Sequence, residues 1–183
     1  MAKGLADGAF LMDYSNFIIF VKTNNTMDLK NINIPVTVCK FDELSEDDRS
    51  LVDKAIEMTR QAYAPYSHFH VGAAIRLVDG TIVTGSNQEN AAFPSGTCAE
   101  RSACFYAGAN YPEKSFEAIA VAARDADGNL TADPISPCGA CRQSLLEYEK
   151  LAGRPVKVFL SAKDKVLILP SVKSLLPFAF VEF

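Results

Sequence analysis

The sequence predicts an α/β domain built on a mixed five-strand sheet with helices on both faces. Two observations carry that reading. Apolar residues recur at helical spacing after helix-start signals, and between these segments lie short apolar runs bounded by Gly, Asp and Pro. The resulting order, α-β-β-α-β-α-β-β-α, is that of a sheet covered on two sides.

The elements follow in order. Ser45, with Asp48 three residues on, resembles a capping box, and Leu51, Ala55, Met58, Thr59 and Ala62 then recur on one helical face. A helix over 46–63 is expected, stopping before Pro65. The apolar, Ala-rich run 69–78, the pair Asp79-Gly80 and the run 81–85 predict a β-hairpin on a two-residue turn. A loop over 86–97 leads into a helix that begins at Cys98. The run 118–123 is a buried strand, and Asp125, Gly128, Pro134 and Pro137 punctuate the link to a helix beginning near Cys138. Strands over 156–161 and 166–169 and a short helix over 171–176 complete the pattern. Residues 1–40 have weak periodicity and are set apart as an arm with no assigned function, leaving 41–183 as the working domain.

Composition narrows the function. A chain of 183 residues with 49% hydrophobic and 22% charged residues can bury a full core without metal or disulfide staples, so a metal site here is expected to serve chemistry. Lys and Arg total 18 against 22 Asp and Glu, with no basic run, which argues against a nucleic-acid polymer as partner. The apolar stretch 9–21 is interrupted by Asp13 and Asn16 and is too short to span a bilayer. It is preceded only by Lys3, without a cleavage signature, so a cytoplasmic protein without membrane contact is expected.

The chemistry is concentrated in the cysteines. Five cysteines are an odd number in a chain too large for a disulfide scaffold, so metal or redox chemistry outranks bridging. Cys138 and Cys141 are spaced to share one helical face, and Cys98 begins another helix. Helix starts present unpaired N–H groups and a positive dipole end, which favour thiolates. Three such ligands leave the fourth tetrahedral position of a zinc ion open, the arrangement of catalytic zinc. Glu100, two residues past Cys98, is too close in sequence to be a comfortable fourth ligand but can move the proton of a water activated by the metal. Arg101 can hydrogen-bond the sulfurs and withdraw some of their charge. Taken alone, Thr97-Cys98-Ala99-Glu100 is also a plain capping box, and a C-x-x-C pair also fits redox or structural zinc chemistry. The conjunction with Pro137 directly before the pair matches a zinc-deaminase signature.

Five blocks then carry a resemblance: Ala64-Pro65-Tyr66-Ser67-His68-Phe69-His70-Val71-Gly72-Ala73-Ala74, Asn87-Gln88-Glu89-Asn90-Ala91-Ala92, Cys98-Ala99-Glu100-Arg101-Ser102-Ala103, Pro137-Cys138-Gly139-Ala140-Cys141-Arg142-Gln143 and Leu175-Leu176-Pro177-Phe178-Ala179-Phe180. Over roughly residues 50–181 the chain resembles the small cytidine deaminases of the homotetrameric, three-cysteine zinc type. The resemblance implies a three-layer αβα fold, Zn2+ on Cys98, Cys138 and Cys141, and Glu100 as the proton shuttle. It implies Phe69 near the pyrimidine and Asn87 with Glu89 on the ribose hydroxyls. It also implies zinc-dependent hydrolysis of cytidine and deoxycytidine in pyrimidine salvage, and a homotetramer whose active sites are shared, with Phe180 closing a neighbour's base pocket. Read without the resemblance, Asn87 and Glu89 would be solvated loop residues and Phe69 a core aromatic. The arm before residue 41 departs from the family pattern. An aminonucleoside-antibiotic deaminase of the blasticidin type and a non-catalytic zinc or redox module stand as the alternatives.

Overall fold

The computed structural model describes residues 17–23 and 26–182. The chain divides into two compact units, Met1–Pro35 and Val36–Phe183. In the first, β1 (Phe17–Thr23) and β2 (Thr26–Ile32) pair antiparallel from Phe17↔Ile32 to Thr23↔Thr26, two strands that the weak periodicity of this arm did not disclose. The apolar stretch 9–21 lies largely outside the described residues. Among the described residues no helix is long and apolar enough to cross a membrane.

The second unit contains β3 (Thr37–Cys39), α1 (Glu46–Met58), β4 (His70–Leu77), β5 (Ile82–Ser86), α2 (Ala99–Asn110), β6 (Phe116–Arg124), α3 (Gly139–Ala152), β7 (Lys157–Ser161) and β8 (Val166–Leu169). Its sheet runs β3-β8-β7-β6-β4-β5 and is mixed, with β6 and β7 parallel and the other pairs antiparallel. It therefore has six strands, not the expected five. The extra strand is β3, whose three residues are too few for a period of two to register in the sequence, and which is defined by its pairing with β8.

Side-chain alternation separates the layers. Gly72, Ala74 and their β6 partners Ala122 and Ala120 face α1, where Leu51, Val52 and Ala55 join the three alanines and Phe159 in one core cluster. Small residues on the sheet let the helix approach closely. A Cβ on Gly72 would lie 2.1 Å from the Ala55 carbonyl oxygen and 2.6 Å from the Thr59 nitrogen. Gly85 pairs with Ala73 on the opposite face, and there a Cβ would meet the backbone of Ala99 and Ala103 in α2. α3 packs beside α2, with the Tyr148 ring over Gly108 and stacked on Phe116 at 4.6 Å. The result is the expected three-layer αβα arrangement.

Two local features differ from what the sequence predicts. Ser45 does cap α1, accepting from the Asp48 N–H at 3.3 Å. The Asp48 carboxylate, however, pairs with Arg76 at 2.8 Å and Lys157 at 3.4 Å instead of completing a box. Burial pushes that carboxyl up, but the bonds and charges of Arg76 and Lys157 outweigh it and hold the group below its ordinary range. The hairpin turn has three residues, not two. Gly80 donates to the Leu77 carbonyl at 2.9 Å, Leu77 donates to the Thr81 carbonyl at 2.8 Å, and Gly80 sits at φ +85°. A left-handed glycine thus closes a three-residue loop, which Asp-Gly serves as well as it serves a two-residue turn.

The close approach at Gly72 sets a stability prediction. Gly72→Ala should lower stability by at least ~1–3 kcal/mol, because the clashing atoms are backbone and cannot rotate away. Thermal unfolding followed by circular dichroism would show it as a reduced Tm; an unchanged Tm would mean that α1 does not lie this close to the sheet.

Candidate metal and catalytic centre

Two helix starts build the centre. Cys98 is the N-cap of α2 and Cys138 the N-cap of α3, both with extended backbone (φ/ψ −75°/156° and −65°/165°), and Cys141 follows in the first turn of α3. The three sulfurs lie within 4.8 Å of one another, the one such group of potential ligands among the described residues. Cys98 Sγ is 3.9 Å from Cys138 Sγ, which is 3.5 Å from Cys141 Sγ. A tetrahedral ion with Zn–S bonds of ~2.3 Å needs sulfurs ~3.8 Å apart, close to both of these separations, so the set suits zinc. His68 and His70, the two histidines of the chain, are not part of this group.

The electrostatics are those of a site built for negative charge. Hydrogen bonding from Cys141 acts first, and Arg101 and Cys138 add to it, outweighing the burial of Cys98 and drawing its thiol down to about 5. Arg101 places Nη2 3.8 Å from Cys98 Sγ. Cys141, which gives its proton to that bond and is buried, is shifted upward.

Glu100 stands at the second position of α2 and is 3% exposed. Thr97 is not the N-cap, no side chain caps the helix, and Glu100 points into the interior, so the capping-box reading of Thr97 to Glu100 fails. Burial pushes the Glu100 carboxyl up and the nearby Cys98 charge adds to this, against a downward pull from its own backbone N–H, Cys141 and Arg101. A carboxyl displaced toward neutrality beside a thiolate is equipped to carry a proton in both directions.

A cavity of about 480 Å³ opens on Cys98 and Arg101 and is walled by Tyr66, Asn87, Glu89, Phe93 and Thr97 among others. Asn87 Oδ1 accepts from Val71 N at 2.8 Å and its Nδ2 donates to the Phe69 carbonyl at 2.9 Å. One amide proton and one lone pair are left for a ligand. Glu89 accepts from the backbone N–H groups of Tyr66 (2.9 Å) and Ser67 (3.2 Å) and from the Ser67 hydroxyl. The Ser67 hydroxyl bond, with these backbone donors behind it, holds the Glu89 carboxyl below its ordinary range. Between these clamps His68 adopts a left-handed φ of 54°, two residues before β4 begins.

Phe69 and Phe180 are not among the cavity-lining residues. Phe69 is half-buried, and Phe180 is 63% exposed in the C-terminal segment. Sequence reasoning passed over Ser67, although Tyr66-Ser67 stood inside a matched block; its role emerges only when residues 67 and 89 meet across the fold. Cys104, outside this centre, is fully buried, and burial raises its thiol to about 12.

Comparison with known proteins agrees with this geometry. Residues 45–152 match the family model of the cytidine and deoxycytidylate deaminase zinc-binding region. The cytidine deaminase of Halalkalibacterium halodurans is 40% identical over 134 residues, covering 73% of this chain and 94% of that one. That of Sporosarcina psychrophila is also 40% identical over 134 residues, 73% of this chain and 91% of that one. The crystal structure of the Burkholderia pseudomallei cytidine deaminase superposes with a TM-score of 0.60 at 38% identity, over 75% of this chain and 100% of that one.

The low position of the Cys98 thiol makes the centre testable without any substrate. In metal-stripped protein Cys98 should be alkylated by iodoacetamide almost as fast at pH 6 as at pH 8, with the rate falling only toward pH 5. One equivalent of zinc should suppress the labelling of Cys98 and of the exposed Cys138 together, while the buried Cys141 should stay unlabelled throughout. Peptide mapping by mass spectrometry reads both; unprotected labelling of Cys98 or Cys138 would remove that residue from the metal site.

Proposed function

The chain belongs to the cytidine and deoxycytidylate deaminase family, and on that footing we propose that it hydrolyses cytidine and deoxycytidine to uridine and deoxyuridine, releasing ammonia. It is a zinc-dependent hydrolase. The observation that carries the reading is the trio Cys98, Cys138 and Cys141 at two helix starts with a buried glutamate two residues past the first. When bound, zinc supplies the Lewis acidity that makes a water nucleophilic near neutral pH.

Glu100 takes a proton from the attacking water and delivers it to ring N3, and then serves the departing amine, which leaves as ammonia while C4 keeps the oxygen. Arg101 donates to Cys98 Sγ and offsets part of the negative charge that three thiolates would bring. Asn87 and Glu89 meet the ribose hydroxyls, the first with the amide proton and lone pair it has left. Phe69, anchored at its own N–H and carbonyl by Ser67 and Asn87, packs near the base. The cavity wall carries a carboxylate and, as its one cation, Arg101 turned to Cys98, which suits a neutral nucleoside better than a nucleotide.

The same reading extends to assembly and setting. The C-terminal segment leaves Phe178 and Phe180 each 63% exposed and Val181 48% exposed, which suits a segment covered by other copies of the chain. The protein then works as a homotetramer in which Phe180 reaches the base pocket of a neighbouring subunit. Its place is the cytoplasm, in the recycling of pyrimidine nucleosides.

The absorbance change on mixing the protein with cytidine, deoxycytidine, cytosine and CMP tests the reaction. Both nucleosides should turn over and the free base and the phosphorylated form should not; comparable rates on cytosine would end the assignment. Glu100→Ala should keep one zinc per chain while losing at least ~10²- to 10⁴-fold in turnover, and zinc lost in step with activity would make Glu100 structural. Phe180→Ala should raise KM for cytidine by the equivalent of ~1–3 kcal/mol without loss of zinc. A fully active monomer in light scattering would remove the shared site.

A further inference from the structure

The three sulfurs are not held equally. Cys141 is buried within the first turn of α3, and Cys98 is half-buried with Arg101 at its sulfur. Cys138 is exposed, so packing does not fix it, and it stands at the end of a proline-rich link rather than inside an element. Its orientation depends on the two peptide groups that flank it.

Both flanking carbonyls accept from one residue. The Arg142 backbone N–H donates to the Cys138 carbonyl at 3.0 Å, and its side-chain Nε donates to the Pro137 carbonyl at 2.7 Å. The same guanidinium reaches the Ser136 hydroxyl through Nη2 at 2.9 Å and the Leu175 carbonyl through Nη1 at 2.8 Å. Proline has no N–H, so its carbonyl is the hydrogen-bonding group through which residue 137 can be tied. The planar fork of arginine can hold three acceptors in fixed directions at once, which the point charge of a lysine cannot.

We propose that Arg142 is a positioning residue for the metal centre: the helical bond from its backbone N–H holds the carbonyl of Cys138 as any residue there would, while its guanidinium fixes the peptide group before Cys138 at the Pro137 carbonyl, and with it the sulfur, and ties that ligand to the C-terminal segment at Leu175. The proposal rests on the zinc reading above. Two neighbours of Arg142 on α3 extend the tie along the same segment, Gln143 donating to the Phe180 carbonyl at 2.7 Å and Lys150 to the Val181 carbonyl at 2.8 Å. Neither reaches the 136–138 link. Arg142 alone among these three joins the C-terminal segment to a metal ligand.

The test is zinc release from the purified full-length protein to a chromogenic chelator in excess, for wild type, Arg142→Ala, Arg142→Lys and Gln143→Ala. Arg142→Ala should release zinc ~10- to 100-fold faster, the range found when a group supporting a metal ligand is lost. Arg142→Lys should fall between it and wild type, and Gln143→Ala should match wild type. Release at the wild-type rate from Arg142→Ala overturns the proposal, and so does equal acceleration in Gln143→Ala, which would mean general loosening of the C-terminal segment. If Arg142→Ala does not fold, the lysine variant decides: wild-type release from it overturns the proposal, faster release supports it. A wild-type protein that binds no zinc would instead refute the metal reading itself.

Discussion

Two helices pointing their N-termini at one spot bring two positive dipole ends together, an arrangement that is unfavourable until negative charge lies between them. The thiols of Cys98, Cys138 and Cys141 occupy that place. The rest of the fold makes the convergence possible. Gly85 lets α2 settle onto the sheet, Gly108 lets Tyr148 of α3 lie against α2, and β6 with β7 forms the parallel pair that α3 crosses over.

The same environment displaces two neighbouring acids in opposite directions. Hydrogen bonds from Cys141 and Arg101 favour the thiolate of Cys98, whereas burial raises the carboxyl of Glu100 two residues away. Two residues along the chain, the tendency to lose a proton is strengthened at one group and weakened at the other. Such a divergence marks where acid–base roles can be divided between adjacent residues.

Across the cavity, polar side chains serve the loop around His68. Asn87 and Glu89 between them tie the backbone of Tyr66, Ser67, Phe69 and Val71, and Ser67 links Glu89 to the Phe69 N–H. The left-handed His68 is sustained by these bonds. A ligand that engages Asn87 or Glu89 therefore engages the loop that presents Phe69. Recognition of one part of a substrate is in this way mechanically joined to recognition of another.

By itself the sequence determined what short-range rules encode. The Ser45 cap, the buried run at 118–123, the helix starts at Cys98 and Cys138 and the i, i+3 spacing of Cys138 and Cys141 depend on neighbours within a turn or two. It also disclosed the donor set of the metal centre, because thiols at two helix starts and a glutamate two residues on form a pattern that few other purposes need. Tertiary structure decided the rest. The sixth strand exists only through its pairing with β8, and Glu100 proved buried where local pattern alone suggested a cap. The bonds from Glu89 to Ser67 and from Arg142 to Leu175 span 22 and 33 residues. No local propensity specifies such bonds; they form because the sheet and its helices have already brought the two ends together.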